Sequence, residues 1–114
     1  MAAIEATPDE LAESLSEYQG QATLAAVNGP KAVVVSGNQD AVLAIAAHWA
    51  TQGRRTRQLT VSHAFHSPHM DTITEELTQA AAKITVQPPR IPLISCLTGD
   101  FIDIEQLSTP DYWA

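Results

Sequence analysis

Three of the four histidines in this 114-residue chain fall within seven positions, in Val61-Ser62-His63-Ala64-Phe65-His66-Ser67-Pro68-His69-Met70. Imidazole exchanges protons near neutrality, and a general base must start its work in the neutral form. It is also a common metal ligand. His63, His66 and His69 are spaced by three with Asp71 close by, and on one continuous helix their nitrogens would share a face. Pro68 argues against that helix, because it restricts Ser67 away from helical geometry. Without the helix the three side chains diverge, and no metal site is expected. His66 then stands as a candidate base, beside the plainer reading of a structural or surface histidine. His69 reads as a solvated surface residue. His48, next to Trp49, carries no chemistry of its own.

The flanking residues set where His66 sits. Arg57-Gln58-Leu59-Thr60-Val61 is an extended run. Ser67 can cap a helix and Pro68 suits its first turn. His66 is therefore expected where a strand hands over to a helix, a place from which a side chain projects into a cleft. That helix is predicted over roughly 68–84, with Met70, Ile73, Leu77, Ala81 and Ile84 on its apolar side.

Upstream, Met1 to Ala6 reads as a short strand. Thr7-Pro8-Asp9-Glu10 is a helix start, with Thr7 as cap and Glu10 closing a capping box. Leu11, Leu15 and Tyr18 share one face of that helix. Gln21 to Val27 and Ala32 to Ser36 read as a hairpin, with Asn28-Gly29-Pro30 as its turn. Asn38 is a candidate cap for a second helix, whose Val42, Ile45, Ala46 and Trp49 repeat at helical spacing. Thr56 to Val61 is a fourth strand.

The order β-α-β-β-α-β predicts an α+β fold with a ferredoxin-like sheet and two helices on one face. This subdomain spans residues 1–62. Residues 63–114 hold the histidine segment, the third helix, a linker stiffened by Pro88 and Pro89, and a short strand from Ile91 to Leu97. Thr98-Gly99-Asp100 reads as a turn, and the end as irregular or weakly helical.

Composition narrows the function classes. A net charge of −7 argues against nucleic acid and anionic membrane surfaces. No apolar run approaches a membrane span, and the first residues lack the basic start of a signal peptide. Cys96 is alone, so a reducing cytosol fits, and it reads as a buried structural thiol. Arg54, Arg55 and Arg57 form a basic cluster that reads as a solvated helix end and strand edge.

His63-Ala64-Phe65-His66-Ser67-Pro68 resembles the HAFHSP motif of acyltransferase domains in modular type I polyketide synthases. Ala26-Val27-Asn28-Gly29-Pro30, with Val33-Val34-Val35-Ser36-Gly37, resembles a second stretch of that family. Ile91-Pro92-Leu93-Ile94-Ser95, Leu97-Thr98-Gly99 and Tyr112-Trp113 are similar to its later landmarks. The family's nucleophilic serine lies in a GHSxG elbow, and this sequence contains no such elbow.

The resemblance implies that His66 is the catalytic base, that His63 and Phe65 set substrate selectivity, and that Asn28 supports the site; Asn28 read by residue type alone is a turn former. It implies malonyl-coenzyme A as substrate, passed through a serine ester to the phosphopantetheine thiol of an acyl carrier protein, with no cofactor bound by this chain. It implies an adjacent ketosynthase domain in the parent protein. It also implies a larger α/β-hydrolase-like lobe outside this chain, carrying the serine and the arginine that pairs with the substrate carboxylate. The other function class, a free-standing ferredoxin-like module that binds a partner without catalysis, is what composition alone favours.

Overall fold

A computed structural model describes residues 1–114, which divide into two compact units, Met1–Asp71 and Thr72–Ala114.

The first unit is a mixed α/β structure built on a four-stranded antiparallel sheet. Its elements are β1 (Ala2–Ile4), α1 (Pro8–Glu17), β2 (Ala22–Gly29), β3 (Ala32–Gly37), α2 (Gln39–Thr51) and β4 (Thr56–Gln58), in the sheet order β2-β3-β1-β4. Strand alternation sends Ala2, Ile4, Val33 and Val35 to one face, where they meet Leu11, Val42, Ile45, Ala46 and Trp49 in one buried cluster. Both helices therefore cover the same face of the sheet. The spacing of apolar residues on α2 identified its buried face, and Leu15 of α1 and Tyr18, its C-cap, pack against the cluster. Leu11 is fully buried, and its truncation to Ala would cost about 2–5 kcal/mol through the cavity left behind.

Local signals account for the ends of α1. Thr7 accepts from the Glu10 amide at 3.1 Å, and Glu10 accepts from the Thr7 amide at 2.8 Å, a complete capping box. The β2–β3 connection differs from expectation. Asn28 and Gly29 belong to β2, Gly29 pairs with Ala32, and the turn falls on Pro30-Lys31. Register shifts between Leu24 and Ala26 and between Val27 and Gly29 lengthen β2 and displace the turn by two residues. At the other end of β3, Gly37 has φ 146°, and a Cβ there would overlap the Gln21 carbonyl oxygen. Only glycine fits where β3 leaves the sheet for α2.

β4 is shorter than the sequence suggests and stops at Gln58. Its neighbour β1 pairs Ala2 with Gln58, and the last bond runs from the Leu59 amide to the Met1 carbonyl at 3.0 Å. Thr60 and Val61 have no strand to pair with. The basic cluster next to β4 is not simply solvated. Arg54 is ion-paired to Glu10 at 2.6 Å and Arg55 to Glu5 at 2.9 Å.

The third helix is not continuous from residue 68. Pro68–Met70 form one 3-10 turn, and α3 runs from Asp71 to Ala81. At its end the Lys83 and Ile84 amides bond back three residues to Ala80 and Ala81, which tightens the last turn and closes the helix. No residue of α3 is buried.

In the second unit the expected strand over Ile91–Leu97 does not form. What remains is a single antiparallel bridge, Ile94 to Phe101. Pro92 has no amide to give a ladder, and Ser95 pulls the following backbone into a turn. Its Oγ accepts from the Leu97 and Thr98 amides at 3.1 and 3.3 Å and meets the Tyr112 hydroxyl at 2.8 Å. Thr98-Gly99-Asp100 is the turn expected. α4 (Ile104–Ser108), capped by Asp103, and a 3-10 turn over Pro110–Tyr112 complete the unit, with Trp113 Nε1 donating to the Leu107 carbonyl at 2.9 Å. Cys96 is exposed, contrary to its reading as a buried thiol, because the Ser95 turn faces it outward. No helix is long and apolar enough to cross a membrane.

Candidate active site

The histidine segment follows β4 and leads through the 3-10 turn Pro68–Met70 into α3. His66 is exposed and has φ 56°, the one non-glycine residue of the chain in the left-handed region. A β-carbon makes that conformation costly, by roughly 1–2 kcal/mol. Such strain persists only where neighbouring bonds fix it. The left-handed residue also ends any helix through 63–69, so the three imidazoles do not line up on one face.

Ser67 supplies the nearest fixing bonds. It is buried, its Oγ donates to the Ala64 carbonyl, and it accepts from the His69 amide at 3.4 Å. The Met70 amide donates to the Ser67 carbonyl at 2.9 Å. Ser67 thus caps the 3-10 turn ahead of it and ties the loop behind it, with His66 at the apex. The sequence signal Ser-Pro identified the cap; nothing local predicted the second bond.

His63 and Phe65 lie together, their ring centroids 5.7 Å apart and the planes tilted by 50°. His63 Nδ1 is 2.8 Å from Ser62 Oγ. His63 and Ala64 line a cavity of about 200 Å³ with Gly37, Val42, Leu43 and Leu59. Phe65 is half exposed, at 49%, and lies outside that lining. Asn28 is in a different place. It lines a groove at the hairpin end with Glu5, Lys31, Arg55 and Arg57, a lining that includes none of residues 62–69.

One relationship had no sequence signal. His69 Nε2 donates to Asn38 Oδ1 at 2.7 Å, linking residues 31 apart. His69 is exposed, as expected, but it is not merely solvated. Asn38 does occupy the N-cap position of α2, yet its side chain makes no cap bond there.

The amino-acid sequence matches the acyl transferase domain family over residues 1–114. Relatives include the spectinabilin polyketide synthase system protein NorB of Streptomyces orinoci, 50% identical over 113 residues, covering 99% of this chain and 5% of that protein. Polyketide synthase GfsA of Streptomyces halstedii is 42% identical, with 99% of this chain and 2% of that protein covered. The chain therefore spans a small fraction of these relatives' length. Among solved structures, the acyltransferase domain from the second module of the salinomycin polyketide synthase superposes with a TM-score of 0.85 at 40% identity, covering 98% of this chain and 27% of that one. FabD from Acinetobacter baumannii, at 23% identity and a TM-score of 0.82, shares the fold. A family match along the whole chain, with a fold shared to that degree, makes this chain a member of the acyl transferase domain family and a part of an acyltransferase domain of the polyketide synthase kind.

Proposed function

We propose that this chain is the small, ferredoxin-like lobe and return segment of an acyltransferase domain, and that His66 is its general base. The β-α-β-β-α-β order and the sheet order β2-β3-β1-β4 support the ferredoxin-like reading of residues 1–62. The observation that carries the catalytic reading is His66 itself. It is exposed at the apex of a turn, in a strained backbone conformation held by a buried serine, within the HAFHSP motif.

The chemistry is nucleophilic catalysis. A serine of the larger lobe gives its proton to the His66 imidazole and attacks the thioester carbonyl of an acyl-coenzyme A. The coenzyme A thiol leaves with a proton returned by the imidazolium. The acyl group then passes from serine to the phosphopantetheine thiol of an acyl carrier protein, with His66 again taking and giving the proton. No metal enters this scheme. His63 and Phe65 flank the acyl chain and favour malonyl. Asn28 is left as a supporting residue of that cleft only through the larger lobe, since its own groove excludes residues 62–69. A ketosynthase domain is the expected neighbour in the parent protein.

The test is His66→Ala in the complete acyltransferase domain. Turnover should fall by several orders of magnitude with the fold retained, as when the base of a serine triad is removed. Acyl-enzyme formation at near wild-type rate would move the base elsewhere, with His63 the first suspect.

A further inference from the structure

The turn that carries His66 is tied to a rigid part of the fold by a side chain taken from another task. An Asn at an N-cap ordinarily accepts from an amide of the helix's first turn. Asn38 stands at that position of α2 and does not do so. Its Oδ1 accepts instead from His69 Nε2 at 2.7 Å. The Asn38 backbone is held on both sides: its amide donates to the Gln21 carbonyl at 2.7 Å, and its carbonyl accepts from the Val42 amide at 3.0 Å. Gly37, just before it, has no room for a side chain. Asn38 is thus a fixed point joined to Gln21, the residue before β2, and to α2.

At the other end of the bond, His69 lies in the 3-10 turn Pro68–Met70, and its amide bonds Ser67 Oγ at 3.4 Å. His66 lies one residue before the Ser67 cap of that turn, at φ 56°. A strained conformation persists where surrounding bonds over-determine it. Ser67 supplies the local bonds, and the Asn38–His69 pair links this turn to the α2 terminus.

We propose that Asn38 and His69 are positioning residues for His66, and that their hydrogen bond fixes the turn from which the base is presented. The inference rests on the reading of His66 as the base. Neither residue needs to touch substrate. A catalytic group displaced by an ångström can lose up to about a hundredfold in rate. An exposed hydrogen bond contributes little to global stability. The pair should therefore register in turnover and not in folding.

The experiment uses the complete acyltransferase domain, with Asn38→Ala, His69→Leu, their double variant, and the conservative Asn38→Asp and His69→Gln. The probe is malonyl-coenzyme A, with acyl-enzyme formation followed in single turnovers. Expected is a loss of about tenfold in kcat for each disrupting variant, KM within about twofold, and an unchanged thermal midpoint. The double variant should be no slower than either single one, since both remove the same bond. Asn38→Asp keeps the acceptor and His69→Gln keeps a donor, so both should recover most of the rate. Wild-type kcat in folded Asn38→Ala and His69→Leu overturns the proposal. So does a loss that tracks a lowered thermal midpoint, or one that adds fully in the double variant. His66→Ala run alongside separates the two readings. If it stays active, the base assignment fails and this inference with it. If it is inactive while the disrupting variants are fast, the positioning role alone fails.

Discussion

Arg54 Nη2 donates to Glu10 Oε1 at 2.6 Å, while the other carboxylate oxygen of Glu10 accepts from the Thr7 amide at 2.8 Å. One carboxylate thereby closes the start of α1 and joins it to the chain leaving α2. Arg54 also lies 5.8 Å over the ring of Trp49, so the same guanidinium covers the core's largest side chain.

That carboxylate makes the first unit acid-sensitive. The Thr7 amide bond and then Arg54 hold the Glu10 pKa below its ordinary 4.5, and Arg55 does the same for Glu5. A folded-state pKa below the unfolded one means that the unfolded chain binds more protons in that window. The stability is fully present above 4.5 and is lost as pH falls through the lowered folded value. Urea denaturation across that window should show a steeper loss for wild type than for Glu10→Gln, which cannot titrate. Parallel curves would remove Glu10 from the account.

Gly37→Ala should destabilise the first unit by more than about 1 kcal/mol, because the site demands both a positive φ and an empty Cβ position. Gly53→Ala is the control. It shares a positive φ, at 76°, but has open space around its Cβ, so its cost should be smaller. Equal midpoints for the two variants in urea would mean that Gln21 moves aside freely.

His66 offers a stability test independent of catalysis. Glycine tolerates the left-handed region that a β-carbon resists, so His66→Gly should be more stable than His66→Ala by about 1 kcal/mol. Both should be equally inactive in the complete domain. An alanine variant as stable as the glycine one would show that the turn relaxes once the imidazole is gone.

The selectivity role proposed for His63 and Phe65 has its own test. Phe65 is bulky, and serine in its place would leave room for an α-methyl group. A single methyl is worth about 1–3 kcal/mol in a shaped pocket. His63→Tyr with Phe65→Ser in the complete domain should erode, without inverting, the ratio of kcat/KM for malonyl- over methylmalonyl-coenzyme A. An unmoved ratio in an active variant would reduce the 5.7 Å His63–Phe65 contact to packing.

Protection should differ between the two units. Ile84, Ile91, Leu97 and Phe101 are each at least two-thirds exposed, and no residue of α3 is buried. Amide exchange over 82–101 should be fast, and that over β1 and β3 slow. Comparable protection of both segments in a proven monomer would contradict the exposures.

The parts of the fold that depend on local chemistry were legible in the sequence. Thr7 to Glu10 wrote its capping box, and Val42, Ile45, Ala46 and Trp49 wrote the buried face of α2. The parts that depend on a partner were not. Val61 has strand character but no neighbour to pair with, and Ile91 to Leu97 has it too, yet Pro92 and the Ser95 turn prevent a ladder. Asn28 and Gly29 have turn chemistry, but two register shifts upstream moved the turn beyond them. At the site, the Ser67-Pro68 signal located the turn of His66. The Asn38–His69 bond joins residues 31 apart and leaves no trace in local pattern.

The register shifts in β2 have a consequence for how copies of this chain meet. β2 is an outer strand of the sheet, eight residues long, and a regular strand of that length would offer a continuous template for another chain. Its two irregularities break the even row of amides and carbonyls, and the opposite outer strand, β4, is three residues long. Neither border can be lengthened by an added strand over more than a few residues. Any self-association at high concentration is therefore expected to use the exposed apolar side chains of the second unit rather than backbone pairing, so charged substitutions at Ile91, Leu97 or Phe101 should suppress it while changes along β2 leave it alone.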